Sequence, residues 1–121
     1  MKTPTAHHPI TIEDNPHRIR VMLGGFIIAE TVEALTLREA ALPPVQYIPR
    51  KDVHMDLLDS TDRHTHCPYK GAASYFTASG GGKVMENAAW SYETPFDSVS
   101  RIAGHVAFYP ERVDAIEEFT D

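Results

Sequence analysis

Gly71-Ala72-Ala73-Ser74-Tyr75-Phe76-Thr77-Ala78-Ser79-Gly80-Gly81-Gly82-Lys83-Val84-Met85-Glu86-Asn87-Ala88-Ala89-Trp90-Ser91-Tyr92 is the stretch whose reading decides the fold. Ala72 to Ala78 reads as a strand, and Lys83 to Tyr92 reads as its return. Between them three consecutive glycines permit positive φ and predict a loose hairpin tip. Phosphate-binding loops place glycines between a strand and a helix N-terminus, and here strand-like sequence flanks both sides. Glu86-Asn87 reads either as a polar pair at a pocket edge or, more simply, as a bulge or bend in the returning strand with the Asn87 amide bonded to backbone.

Outward from this hairpin the chain keeps the same character. Ile19, Val21 and Leu23 alternate with Arg18, Arg20 and Met22, the period of a half-buried strand. Gly24-Gly25 then links them to Phe26-Ile27-Ile28-Ala29, a second hairpin. Thr31 to Leu37 reads as a strand, with a short helix over 33–39 as the competing pattern. Pro43-Pro44 ends that unit and starts an extended Val45-Gln46-Tyr47-Ile48. Residues 49–71 are rich in ionisable groups, yet Val53, Met55, Leu57 and Leu58 tie them to a core. Phe96 to Ala103 suits one or two helical turns with Asp97 as N-cap. His105 to Tyr109 is a last strand, and an acidic tail follows. The first eight residues read as loose, with His7-His8 solvated. The expectation is a single domain over 1–121 with its core at about 18–114. Its class is all-β and mainly antiparallel: a small coiled-sheet or β-tent-like domain with one short helix.

Composition narrows the function classes. The formal charge is −6 and the 11 basic residues are scattered, so no nucleic-acid partner is expected. No stretch approaches a membrane span, and the start lacks the apolar region of a secretory signal. The single cysteine, Cys67, cannot form an internal bridge and suits a reducing compartment. A cytoplasmic location is expected.

Three segments carry a family resemblance. They are Tyr47-Ile48-Pro49-Arg50-Lys51-Asp52-Val53, then Thr65-His66-Cys67-Pro68-Tyr69-Lys70-Gly71 with Ala73 and Tyr75, then Ala88-Ala89-Trp90-Ser91-Tyr92 with Pro95. Together they resemble the small bacterial family known as domain of unknown function 427, sometimes labelled nucleotidyltransferase-like, from about Arg18 to Asp114. The resemblance implies a compact antiparallel β fold of the tent kind with these motifs around a pocket. It supplies no activity. The chain lacks the paired carboxylates beside a glycine-serine motif that classical nucleotidyltransferases use. It also lacks the two Cys-x-x-Cys knuckles that hold zinc in β-tent relatives.

The candidate site residues follow from chemistry. Cys67 shares a strand face with Thr65, and Lys70 can project near it. An adjacent ammonium favours thiolate, which makes Cys67 a candidate nucleophile with Lys70 and His66 assisting. The competing account of Cys67 is a small buried hydrophobe. Lys70 also suits a phosphate or carboxylate contact. Asp52, beside Arg50-Lys51, can orient a ligand, pair with Lys70, or cap a turn. Tyr47, Trp90 and Tyr92 offer apolar bodies with polar tips, useful for lining a pocket or for core packing. Thr65 joins these as a ligand contact. His54, His64 and His66 superficially resemble metal ligands, but Cys67 points away from the histidines' face and a structural zinc needs four ligands. No metal or cofactor is expected.

Three functions remain open at this point. The first is binding of a small molecule, anionic ones included, in a polar-aromatic pocket. The second is a Cys67-dependent hydrolase or transferase. The third is an interaction module, such as a homodimer, using apolar surface near Phe96 or Phe26.

Overall fold

The computed structural model describes residues 1–120. Its strands are β1 (Ile10–Asn15), β2 (Arg18–Leu23), β3 (Phe26–Thr31), β4 (Ala34–Glu39), β5 (Val45–Tyr47), β6 (Leu58–Cys67), β7 (Gly71–Gly80), β8 (Lys83–Ser91), β9 (Val106–Phe108) and β10 (Ala115–Phe119). They form three antiparallel sheets, ordered β1-β4-β5, β10-β2-β3 and β6-β7-β8-β9. The fold is all-β, and the helical turns among the described residues are short and of 3-10 type. Among the described residues no helix is long and apolar enough to cross a membrane.

The four-stranded sheet has a core on each face. On β9, Val106 and Phe108 pack with Val21, Ile28 and Phe76, while Ala107 between them packs with Leu37, Tyr47 and Tyr92. Burial on both faces explains why this strand reads as a continuous apolar run rather than an alternation. An Ile48–Val106 bridge stitches the end of β5 to β9, so the first and third sheets meet edge to edge.

Both expected hairpins are present, and their tips touch. A Cβ on Gly81 would lie 1.9 Å from the Gly24 carbonyl oxygen, and both residues hold positive φ. Asp114 clasps the junction, accepting from the Gly24 backbone N–H and from Lys83 Nζ at 2.8 Å each. The bend at Asn87 is present: φ is 51°, and the β7–β8 register shifts opposite it, but its side-chain amide is bonded not to backbone but to the Thr61 hydroxyl.

Several expectations are corrected. Regular structure begins at Ile10, not Arg18, because β1 pairs along the whole of β4. The acidic segment 115–119 is not a free tail, because as β10 it pairs with β2 and places Ile116 on the core. The core therefore extends beyond 18–114 at both ends. The strand read over 31–37 is present but shifted, as Ala34–Glu39, and the competing helix over 33–39 does not form. The first residues are tied down: Lys2 N donates to Pro68 O at 2.6 Å, and a Thr5–His8 bridge forms a turn. His8 is not solvated, since its ring stacks on Tyr69 at 4.0 Å. Over 97–102 the turn is 3-10, preceded by Phe96 and lacking a side-chain cap, so Asp97 is not its N-cap.

Candidate functional site

A row of aromatic rings runs along the third sheet. Tyr75 on β7 is paired across the ladder with Trp90 on β8. Tyr47 on β5 meets Trp90 edge-on at 6.3 Å, and Trp90 Nε1 donates to the Tyr47 hydroxyl at 3.2 Å. Tyr109, just beyond β9, lies 4.4 Å from Trp90, and Tyr75 stacks 6.5 Å from Tyr109. Such offset and edge geometries are the ones ring quadrupoles favour.

Two hollows open on this row. One, of about 200 Å³, is polar, with Tyr47, Tyr75, Tyr92 and Tyr109 around Lys70 and Glu39. The other, of about 570 Å³, is walled by Val21, Pro44, Ile48, Phe108 and Ile116. They share Leu42, Pro43, Val45, Trp90 and Tyr109. The larger volume lies within the roughly 300–1,000 Å³ of small-molecule sites, and the smaller alone admits only a head group.

Lys70 sits in the turn between β6 and β7, where Gly71 takes φ +107° and turns the chain. Its ammonium is buried against Glu39, the last residue of β4. Glu39 also contacts His8 Nε2 at 2.8 Å. Burial alone would raise the Glu39 pKa, but the bonds from Lys70 and His8 outweigh it and hold the carboxyl below its usual range. The pair is therefore charge-neutral inside the hollow. Both phenols are protonated donors at neutral pH, and burial pushes Tyr47 and Tyr92 further above their ordinary value. Tyr109 is pushed up to about 12, by burial first and then by Tyr75. Burial would also raise Tyr75, yet bonds from Thr65 and Tyr109 and the Arg63 guanidinium together lower it.

The structure thus brings Tyr47, Lys70, Trp90 and Tyr92 into one hollow. Thr65 reaches it indirectly, through a 2.9 Å bond to the Tyr75 hydroxyl. The expectation that Asp52 joins them is corrected: its carboxylate accepts from Thr31 Oγ1 at 2.7 Å and borders a different recess, with Arg18 and Lys51. His66 is exposed on the other face of β6, its ring 6.1 Å from Phe96. Cys67 is half-buried against the second core, borders neither hollow, and makes no hydrogen bond with Lys70 or His66. No group of three or more His, Cys, Asp or Glu among the described residues could hold a metal. Glu39 and Tyr75 were not among the expected site residues. Glu39 reads as a strand-end charge, and only the long-range meeting with Lys70 buries it.

The family model for domain of unknown function 427 matches residues 11–118, and the chain belongs to that family. No protein with a curated description matches it.

Proposed function

We propose that this member of the family binds a small organic molecule across the two joined hollows. The flat or apolar body would lie in the larger one, against Trp90, Tyr109 and the Pro43-Pro44 wall. An uncharged, acceptor-bearing head, such as a carbonyl or hydroxyl group, would enter the smaller one. The observation that carries this reading is the pair of phenol donors, Tyr47 and Tyr92, beside a cation already neutralised by Glu39. An acceptor meets free donors there, whereas a bare carboxylate would meet no net positive charge. The Cys67-dependent hydrolase or transferase ranks below it, because the thiol lies outside both hollows and has neither Lys70 nor His66 bonded to it.

Trp90 is the only tryptophan, so its emission reports on the site directly. The test is a fluorescence titration with nucleosides, aromatic amides and aromatic alcohols, using aliphatic carboxylates as contrast, with thermal shift in parallel. At least one aromatic class should give saturable quenching and stabilisation. Tyr92→Phe should weaken it about tenfold, the loss of one buried hydrogen bond, and Cys67→Ser should leave it unchanged. A Cys67→Ser variant that loses binding, or aromatic probes that move neither signal, would turn the reading over.

A further inference from the structure

Tyr109 also lines a separate recess of about 260 Å³, whose other walls are Arg63, Asn87, Glu111 and Arg112. The backbone around it is irregular on two strands. Arg63 falls in the stretch of β6 where its register with β7 shifts, between Ser60 and His64. Asn87 holds φ 51° at the bend of β8, a conformation uncommon for a residue with a side chain. Bulges and positive-φ residues of this kind often re-aim side chains at functional sites. One hydroxyl ties the two irregularities together: Thr61 Oγ1 accepts from Arg63 N at 3.3 Å and donates to Asn87 Oδ1 at 2.6 Å. That bond is made to the Asn87 oxygen, and no side-chain bond from the Asn87 amide nitrogen is formed among the described residues. The Arg63 guanidinium is steadied over the Tyr75 ring, 4.9 Å from its centroid. Neither Arg63 nor Arg112 forms an ion pair with any described carboxylate.

We infer that this recess is an oxyanion site for the phosphoryl or carboxylate group of a small molecule. Two arginines and an asparagine line it, and guanidinium forks with a side-chain amide are the donors that recognise planar or tetrahedral oxygens. Glu111 on its rim offsets one of the two positive charges. The remainder is a local positive spot on a chain of net charge −6. The site stands on its own geometry and does not require the aromatic hollows to be occupied. The shared wall at Tyr109 allows one ligand to span both.

The experiment titrates the full chain with inorganic phosphate and, separately, with acetate, at ionic strength held constant with sodium chloride. Amide NMR shifts provide the readout. The Asn87 side-chain amide should move saturably. Arg63→Gln and Arg112→Gln should each weaken binding about fivefold or more, the scale of a solvent-screened charge-assisted contact. Asn87→Gly keeps the positive φ without strain and should also weaken it. Glu111→Gln should tighten it, an effect that damage to the fold would not produce. Arg38→Gln removes the same charge from the one exposed position of β4 and should change nothing. Saturation by only one probe supports the site and identifies the group it takes. No saturation by either probe, or equal weakening by Arg38→Gln, overturns it. The aromatic-hollow reading fails or survives separately, because Tyr92→Phe should leave phosphate or acetate binding intact.

Discussion

Lys70 and Arg63 sit by the same group of aromatic rings and live by opposite rules. Lys70 is buried, with its ammonium against the buried Glu39 carboxylate and 5.9 Å from the Tyr92 ring centroid. Arg63 is exposed, with its guanidinium over Tyr75 and no carboxylate partner among those described. A buried ammonium costs several kcal/mol unless a counter-charge is built beside it. Once it is built, the cation has little left to offer a ligand. A guanidinium in water needs no partner and keeps its donors free. The basic residue that stands out in the sequence therefore serves the fold, and the inconspicuous one is available for recognition.

The sharpest way to break that contrast is to remove each charge in turn and measure stability by urea denaturation. Lys70→Met should cost about 3–5 kcal/mol, because it leaves the Glu39 carboxylate buried without its main partner. Arg63→Gln should stay within about 0.5 kcal/mol of wild type. The double variant Lys70→Met/Glu39→Leu should recover much of the loss, since an apolar pair of similar volume leaves no charge stranded. A Lys70→Met protein as stable as Arg63→Gln would mean that the two sites do not differ as described.

Acid sharpens the same comparison with a smaller effect. The Glu39 carboxyl is held below its ordinary value of 4.5 in the folded state. A group depressed in this way contributes stability that is fully present above 4.5 and is lost as pH falls through the folded value. The stability gap between wild type and Glu39→Gln should therefore be constant near neutrality and narrow below that point. Arg63→Gln should show no such narrowing. A gap that widens on acidification would reverse the assigned sign.

The legible parts of the fold were those decided by neighbours in sequence. Gly24-Gly25 and Gly80-Gly81-Gly82 announced their hairpins because positive φ is local chemistry, and the bend at Asn87 followed for the same reason. The edge strands were hidden. In β1, Ile10 and Ile12 do alternate with polar residues, but Pro9 and the histidine pair before them made the stretch look loose. In β10 the half-exposed acidic pattern of Ala115–Phe119 acquires meaning only beside β2. The site divides the same way. Tyr47, Trp90 and Tyr92 were visible as amphipathic rings, and Lys70 by its place before a glycine. Glu39 and Asp52 were not separable by local pattern: one carboxylate is buried by a partner 31 positions away, and the other is held by Thr31 in another part of the molecule. Arg63 carries no sequence signal at all, because its availability is the absence of a partner.

The finest test separates two phenols that share the smaller hollow. The Tyr47 hydroxyl accepts from Trp90 Nε1, so Tyr47→Phe removes the partner of a half-buried indole N–H and should cost about 1 kcal/mol. The only hydrogen bond to Tyr92 outside the strand ladders among the described residues is to its backbone oxygen, so Tyr92→Phe should leave stability within about 0.5 kcal/mol. Thermal or urea unfolding of the two variants should rank them in that order. The ranking has a functional consequence. A protonated hydroxyl that does nothing for the fold and faces a hollow has its hydrogen-bonding capacity unspent within the protein. If Tyr92→Phe instead destabilises the chain as much as Tyr47→Phe, that hydroxyl is committed to the core, and the donor pair offered to a ligand shrinks to Tyr47 alone.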